Sequence, residues 1–330
     1  MAGPLHDAAK AGDAPALQRH LDAGMKADER DSNGVTPLME ASWHGREEAV
    51  KLLISRNADV NALSARGGTA LMEASIKGYT GVAKILIDSG ARVNARNDNG
   101  VTALMWAASK GYPETVKLLI QAKADVRLSS FRHTDPETYT TVMGKTALAY
   151  AAGKGHLDIA RMLLDAGAEA DIDCGSISCA SGDEGALKTP LLYAASAGKT
   201  DMITLLVRRG ARVNPQCDSK CLSSETPLIA ASLGGSQAAV RLLLKLGAKV
   251  DARGSAEKVY LHRERPAGRE ATALMHLLFH RGLQQQSGKG KDETAAIAKL
   301  LVGAGANVNF TMACTGPGVS PRIFSSLGLG

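Results

Sequence analysis

Four cysteines stand in two close pairs, Cys174-x4-Cys179 and Cys217-x3-Cys221. Paired thiols can remain free, close disulfides, or bind a soft metal. Free thiols are the default in a reducing compartment, and an oxidising one would close each pair into a disulfide. Together the four match the ligand count of a tetrahedral zinc site, although both spacings are looser than the usual C-x2-C. Cys314 stands apart from them. A second chemical stretch runs from Arg253 to Ala271, where Arg253, Lys258, Arg263, Arg265 and Arg269 alternate with Glu257, Glu264 and Glu270 around a single Tyr260. Such a stretch could contact phosphate or an acidic partner, but its mixed charge and low apolar content also fit a solvated loop. Catalysis is not expected. There is no glycine-rich phosphate loop, no H-E-x-x-H and no G-x-S-x-G, and the eight histidines are scattered along the chain.

The 330 residues are 45% hydrophobic and 22% charged, which is ordinary for a folded protein, but only 4% aromatic. A core poor in rings is built from Ala, Leu, Val and Ile, which suits thin layers of paired helices. The net charge of +6 permits an anionic partner without naming one. No apolar run approaches the roughly 18 residues needed to span a bilayer. The N-terminal residues Met1-Ala2-Gly3-Pro4-Leu5-His6 lack a charged-then-apolar leader. These features lead us to expect a cytoplasmic protein, with the nucleus as an alternative, that is monomeric by itself and needs no cofactor.

The elements that must position these residues announce themselves by spacing. Seven Thr-Pro-Leu or Thr-Ala-Leu steps begin at Thr36, Thr69, Thr102, Thr146, Thr189, Thr226 and Thr272. In the first six, 25 residues separate the Thr from a stop at Asn61, Asn94, Arg127, Asp171, Asn214 or Asp251. From each stop to the next Thr the distance is 8, 8, 19, 18, 12 and 21 residues. One half of the repeat is therefore rigid scaffold, and the other accepts insertions. Within the unit, Thr36 is a helix N-cap and Pro37 a first helical residue. Gly45 ends that helix, and Val50, Leu53 and Ile54 place a second helix over Glu47–Arg56. A left-handed stop follows. It holds Gly90, Gly167, Gly210 and Gly247 in most repeats, but Asn57 and Lys123 in two, and Lys123 should cost on the order of 1 kcal/mol.

Gly34-Val35-Thr36-Pro37-Leu38 and Gly100-Val101-Thr102-Ala103-Leu104, each followed by a Val-Asn-type helix end, resemble the ankyrin repeat (G-x-T-P-L-H-x-A-A-x-x-G, then V-x-x-L-L-x-x-G-A-D-V-N). The resemblance runs from Leu5 to Asn309. It implies an all-α ankyrin-repeat solenoid of eight helix-turn-helix repeats with long β-turn finger inserts. The repeats start near residues 3, 36, 69, 102, 146, 189, 226 and 272 of a 1–309 array. Residues 310–330 read as an incomplete ninth repeat or a C-terminal cap. The polar stretch Gly282–Glu293 reads as a loop within the eighth repeat, and 128–143, with Phe131, Tyr139, Thr140 and Thr141, as an ordered insert. The family's His after Leu survives only as His6, with Met39, Met72 and Met105 among its replacements.

In this family the first helices line a concave groove beside the fingers. The register then implies a partner-binding face holding Glu40, Trp43, Glu73, Ile76, Lys77, Trp106, Lys110, Tyr150, Lys154 and Tyr193, which includes both tryptophans of the chain. Half-exposed rings are frequent interface anchors. The plainer alternative is local packing: an i,i+4 pair Glu73–Lys77, and lysine stems on rings at Trp106–Lys110 and Tyr150–Lys154. The resemblance implies a non-catalytic scaffold or adaptor binding a protein or peptide. Two rivals remain, a metal- or redox-responsive module using the four cysteines and a nucleic-acid or anionic-lipid binder using the lysines and the basic finger; nucleic acid is the weaker of these. The family's asparaginyl-hydroxylation pattern L-x5-[DE]-V-N fits Leu53…Asp59-Val60-Asn61, so Asn61 is a candidate modification site, or merely a brace for its turn.

Overall fold

A computed structural model describes residues 3–130, 133–134, 141–142, 144–171, 189–215, 226–252, 254–255, 270–275, 277 and 289–307. It divides into two compact units, Met1–Ala151 with His156–Glu169, and Ala152–Gly155 with Ala170–Gly330.

The first unit is built from helix pairs: α1 (Pro4–Ala11) with α2 (Ala14–Asp22), α3 (Pro37–Trp43) with α4 (Glu47–Ser55), α5 (Ala70–Lys77) with α6 (Thr80–Asp88), and α7 (Ala103–Lys110) with α8 (Pro113–Gln121). Most of α9 (Ala147–Lys154) and all of α10 (Leu157–Asp165) complete it. First helices stack on first helices, α1 on α3 on α5 on α7, and second helices on second helices from α2 to α10. Between α8 and α9 the two-residue strands β1 (His133–Thr134) and β2 (Thr141–Val142) pair antiparallel. Ser129 bridges Thr146 at the base of that insert, and Lys145 N–H donates to Ser130 Oγ at 2.9 Å.

The second unit repeats the theme with α11 (Pro190–Ser196) and α12 (Thr200–Arg208), α13 (Pro227–Gly234) and α14 (Gln237–Lys245), and α15 (Lys289–Gly303). Here α11 packs on α13, α12 on α14, and α14 on α15. The strands β3 (Gly254–Ser255) and β4 (Glu270–Ala271) pair across the ends of the large charged insert. Helix α15 begins at Lys289, inside the stretch read from sequence as a loop. Lys, Asp and Glu there are all compatible with helix, and Gly290 alone opposes it, too weakly to stop a helix whose Ile297, Ala298 and Leu301 are fully buried.

Each of the seven repeated threonines caps a helix. The hydroxyls of Thr36, Thr69, Thr102, Thr146, Thr189, Thr226 and Thr272 accept the amide three residues on, at 3.2–3.4 Å. A cap of this kind stabilises its helix by about 1 kcal/mol. The helices it starts bury small residues, with Ala41, Ala74, Ala107 and Ala108 at 0% exposure, so neighbouring backbones approach closely. Met39, Met72 and Met105, at the family's histidine position, are buried as well and fill it with apolar volume. The approach is tightest at Gly234, where a Cβ would stand 2.1 Å from the Ser196 carbonyl oxygen.

The stop residues latch one repeat to the next. Asn61 donates to Gly90 O at 3.0 Å and accepts from Arg92 N at 2.7 Å. Asn94 does the same with Lys123 O and Asp125 N, and Asn214 with Gly247 O and Lys249 N. Asp28 accepts from Asp59 N, and Asp251 from Asn307 N. Arg127 departs from this pattern, reaching Gly167 O at 3.4 Å through its guanidinium.

Among the described residues only Asn57 (φ 62°) and Lys123 (φ 65°) occupy the left-handed region without being glycine. Lys123→Gly should raise stability by about 1 kcal/mol in denaturant titration. Gly234→Ala should lower it by about 1–3 kcal/mol, because its methyl meets backbone that cannot yield without moving α11 from α13.

Candidate partner-binding face

In the first unit the face is carried by successive first helices. Glu40, Trp43 and His44 come from α3, Glu73, Ile76 and Lys77 from α5, Trp106 and Lys110 from α7, and Tyr150 from α9. Glu40, Trp43, Glu73, Ile76, Trp106 and Tyr150 are all half-buried, whereas Lys77 and Lys110 are exposed. In the second unit Lys154 is exposed and Tyr193 is half-buried, its Cβ 3.5 Å from where a Cβ on Gly153 would stand.

The local pairings differ from those expected. The Lys77 ammonium lies 3.9 Å from the centroid of Trp43, a ring one repeat earlier, and among the described residues it makes no ion pair with Glu73. The ammonium found over Tyr150 belongs to Lys145, at 5.4 Å, not to Lys154, and among the described residues none is found over Trp106. Stacking brings the face of α3 alongside α5, so a ring on one repeat offers a better-oriented partner than a residue one turn along the same helix. His44 Nδ1 stands 3.0 Å from Glu40 O and 3.5 Å from Glu40 Oε2.

Glu73 is the electrostatic anomaly of this face. Burial pushes its carboxyl up to about 7, the nearby Glu40 charge adds to the rise, and Lys77 opposes it. The carboxyl lines a pocket of about 460 Å³ bounded by α5, by Trp106 of α7 and by three finger turns at Asn33–Val35, Ser64–Gly68 and Asn97. Those turns are rigid for a local reason. Asp31 Oδ1 accepts from Asn33 N and Val35 N, Asn97 Oδ1 from Asn99 N and Val101 N, and Ser64 Oγ from Gly68 N. Adjacent turns are then joined through their backbones, Ala65 N to Asn33 O at 2.9 Å and Asp98 N to Arg66 O at 3.2 Å.

A register feature escaped the sequence reading. The residue after each first-helix glycine packs over the corresponding glycine of the preceding repeat. A Cβ at Gly45 would meet the Tyr79 ring at 2.9 Å, one at Gly78 the Tyr112 ring at 2.5 Å, and one at Gly111 the His156 ring at 2.5 Å. The Gly-Tyr, Gly-Tyr and Gly-His steps were visible, but the residue they cover lies 34 or 45 positions earlier. Of the other candidates, Asn61 is the inter-repeat latch described above rather than a brace of its own turn alone. Cys174, Cys179, Cys217 and Cys221 lie outside the described residues, as do Phe131, Tyr139, Thr140 and nearly all of the charged insert. Residues 310–330 also lie outside them.

A family model described as ankyrin repeats (3 copies) matches residues 5–97, 57–130, 93–175 and 174–254. The chain belongs to the ankyrin-repeat family. The ankyrin repeat-containing protein P1E11.10 of Schizosaccharomyces pombe is 35% identical over 54 residues, which are 16% of this chain and 26% of that relative. The match thus spans about a quarter of the relative's length. The crystal structure of the human ASB11 ankyrin repeat domain superposes with a TM-score of 0.57 at 23% identity, covering 74% of this chain and 97% of that one. This likeness concerns the ankyrin-repeat fold. Ankyrin repeats are in general protein–protein interaction modules, and nothing in the family or the fold points to catalysis. Among the described residues no helix is long and apolar enough to cross a membrane.

Glu73 makes stability depend on pH with a definite sign. Its folded carboxyl holds a proton more tightly than the unfolded one, so it lowers stability as pH rises from about 4.5 through about 7. Glu73→Gln should therefore melt higher than the wild type at pH 8, with the gap closing as pH falls towards 4.5, as read by thermal denaturation across that range.

Proposed function

We propose that the protein is a non-catalytic scaffold or adaptor that binds a protein or peptide partner through the face of its first helices and the adjoining fingers. The observation that carries this reading is the state of the rings. Trp43, Trp106 and Tyr150 are left half-exposed on the same face of the first unit, whereas Leu38 and Ala41 of α3, Leu104 and Ala107 of α7, and Leu148 and Ala151 of α9 are buried in the stack. Small residues suffice for packing here, so a large ring that is only half covered has apolar surface to give to a partner. Charges of both signs border the rings, Glu40 and Glu73 towards one end and Lys110 further along, so the face suits a segment with apolar anchors and mixed charge.

Trp106→Ala combined with Tyr150→Ala should abolish retention of the partners that the wild-type protein captures from native extract, while far-ultraviolet circular dichroism keeps its helical amplitude. Retention equal to wild type would remove the face from the interface. Loss of helical signal would instead assign both rings to the core.

A further inference from the structure

We propose that the pocket between α5, α7 and the finger turns is a subsite for an arginine side chain of the bound partner, with Glu73 as its counter-ion and Trp106 as its aromatic wall. This rests on the partner-binding reading above and names the chemistry of one position within it.

Three independent features converge on the pocket. First, the carboxyl of Glu73 is without a hydrogen-bond or ion-pair partner among the described residues, because the cation of its own helix, Lys77, is turned onto Trp43. A half-buried carboxylate left this way is disfavoured in its charged form and is relieved by a cation that reaches it. Second, the space is kept open. Position 68 is glycine, and a Cβ there would stand 3.4 Å from Glu73 Oε1 and 2.9 Å from Ser64 Oγ, narrowing the entrance. The volume of about 460 Å³ exceeds what one side chain needs and is walled by turns held through backbone bonds, so little ordering remains to be done on binding. Third, the walls suit a guanidinium. Trp106 presents a ring, Glu73 and Ser64 present oxygen acceptors, and a guanidinium stacks on aromatic faces, chelates a carboxylate and sheds water more readily than an ammonium. Beside the pocket, Leu63 is 49% exposed at its finger and offers an apolar contact to the residue next to the arginine.

The charged groups around Glu73 have distinct parts. Glu40 from α3 adds to the attraction for a cation, while Lys77 from α5 and Arg66 on the pocket rim oppose it. His44 is held against Glu40 and is the other group through which pH could act. Because the carboxyl of Glu73 is pushed up to about 7, arginine binding expels its proton, and affinity should fall about tenfold between pH 8 and pH 6.

The test uses the full chain and Nα-acetyl-arginine methylamide, titrated by NMR with the two indole N–H signals as reporters and a Trp43→Phe variant to assign them. The proposal expects a saturable shift of the Trp106 signal, weakened at least tenfold by Glu73→Gln, which keeps shape and should fold at least as well as wild type. The citrulline and lysine analogues should bind at least tenfold more weakly. The pH dependence should persist in His44→Gln and vanish in Glu73→Gln. Absence of a saturable shift, equal binding of the citrulline analogue, or unchanged binding in Glu73→Gln each overturns the subsite, and equal binding of the lysine analogue overturns the guanidinium assignment. Retention of captured partners separates the two readings. If Glu73→Gln still retains them while Trp106→Ala/Tyr150→Ala does not, and no arginine shift is seen, the face stands and the arginine subsite falls.

Discussion

A repeat that cannot bury its own apolar face exists only by being held against the next one, and in this chain a short side chain does the holding. Asn61, Asn94 and Asn214 each clamp both an N–H and a carbonyl of the following repeat. The burial of Leu53, Leu86 and Leu119 at 0% exposure is non-directional and would tolerate a sliding of layers. The latch does not, because a two-point amide contact at 2.7–3.5 Å has one register. The threonine caps, the alanine-lined first helices and the finger turns all inherit their alignment from it.

That alignment turns separate residues into a surface. Tyr79, Tyr112 and His156 can each cover the glycine of the preceding repeat only if layers are in step, and the backbone bonds from Ala65 to Asn33 and from Asp98 to Arg66 have the same requirement. The fingers thereby become a wall rather than independent loops. A wall can leave a carboxylate such as Glu73 under-solvated without collapsing onto it, which a mobile loop could not.

The scaffold was legible in the sequence because it is written in residue types with one use each. Threonine before Pro or Ala marks a cap, and glycine after the second helix marks a left-handed residue, so Asn57 and Lys123 stood out as exceptions and are the two non-glycine residues found there. The start of α15 was not legible, since Lys, Asp and Glu serve loop and helix alike. The site was half legible. Register placed the rings and carboxylates on the first helices, but which cation meets which ring is a matter of reach across layers, and there Lys77 chose Trp43 and Lys145 chose Tyr150. The state of Glu73 depends on what surrounds it from three turns far apart in sequence, and no local pattern records that.

Among the described residues the latch asparagines hydrogen-bond to main-chain atoms of the repeat they hold. Such a joint is indifferent to the identity of its neighbour. Modules joined this way are interchangeable, and an array can lengthen by duplication without renegotiating each seam, while outward positions diverge freely. One exception is Asp171, which grips the Arg212 side chain at 2.5 Å as well as its amide. That seam is private to two particular modules, and it marks a place where this array could not be cut and respliced without loss.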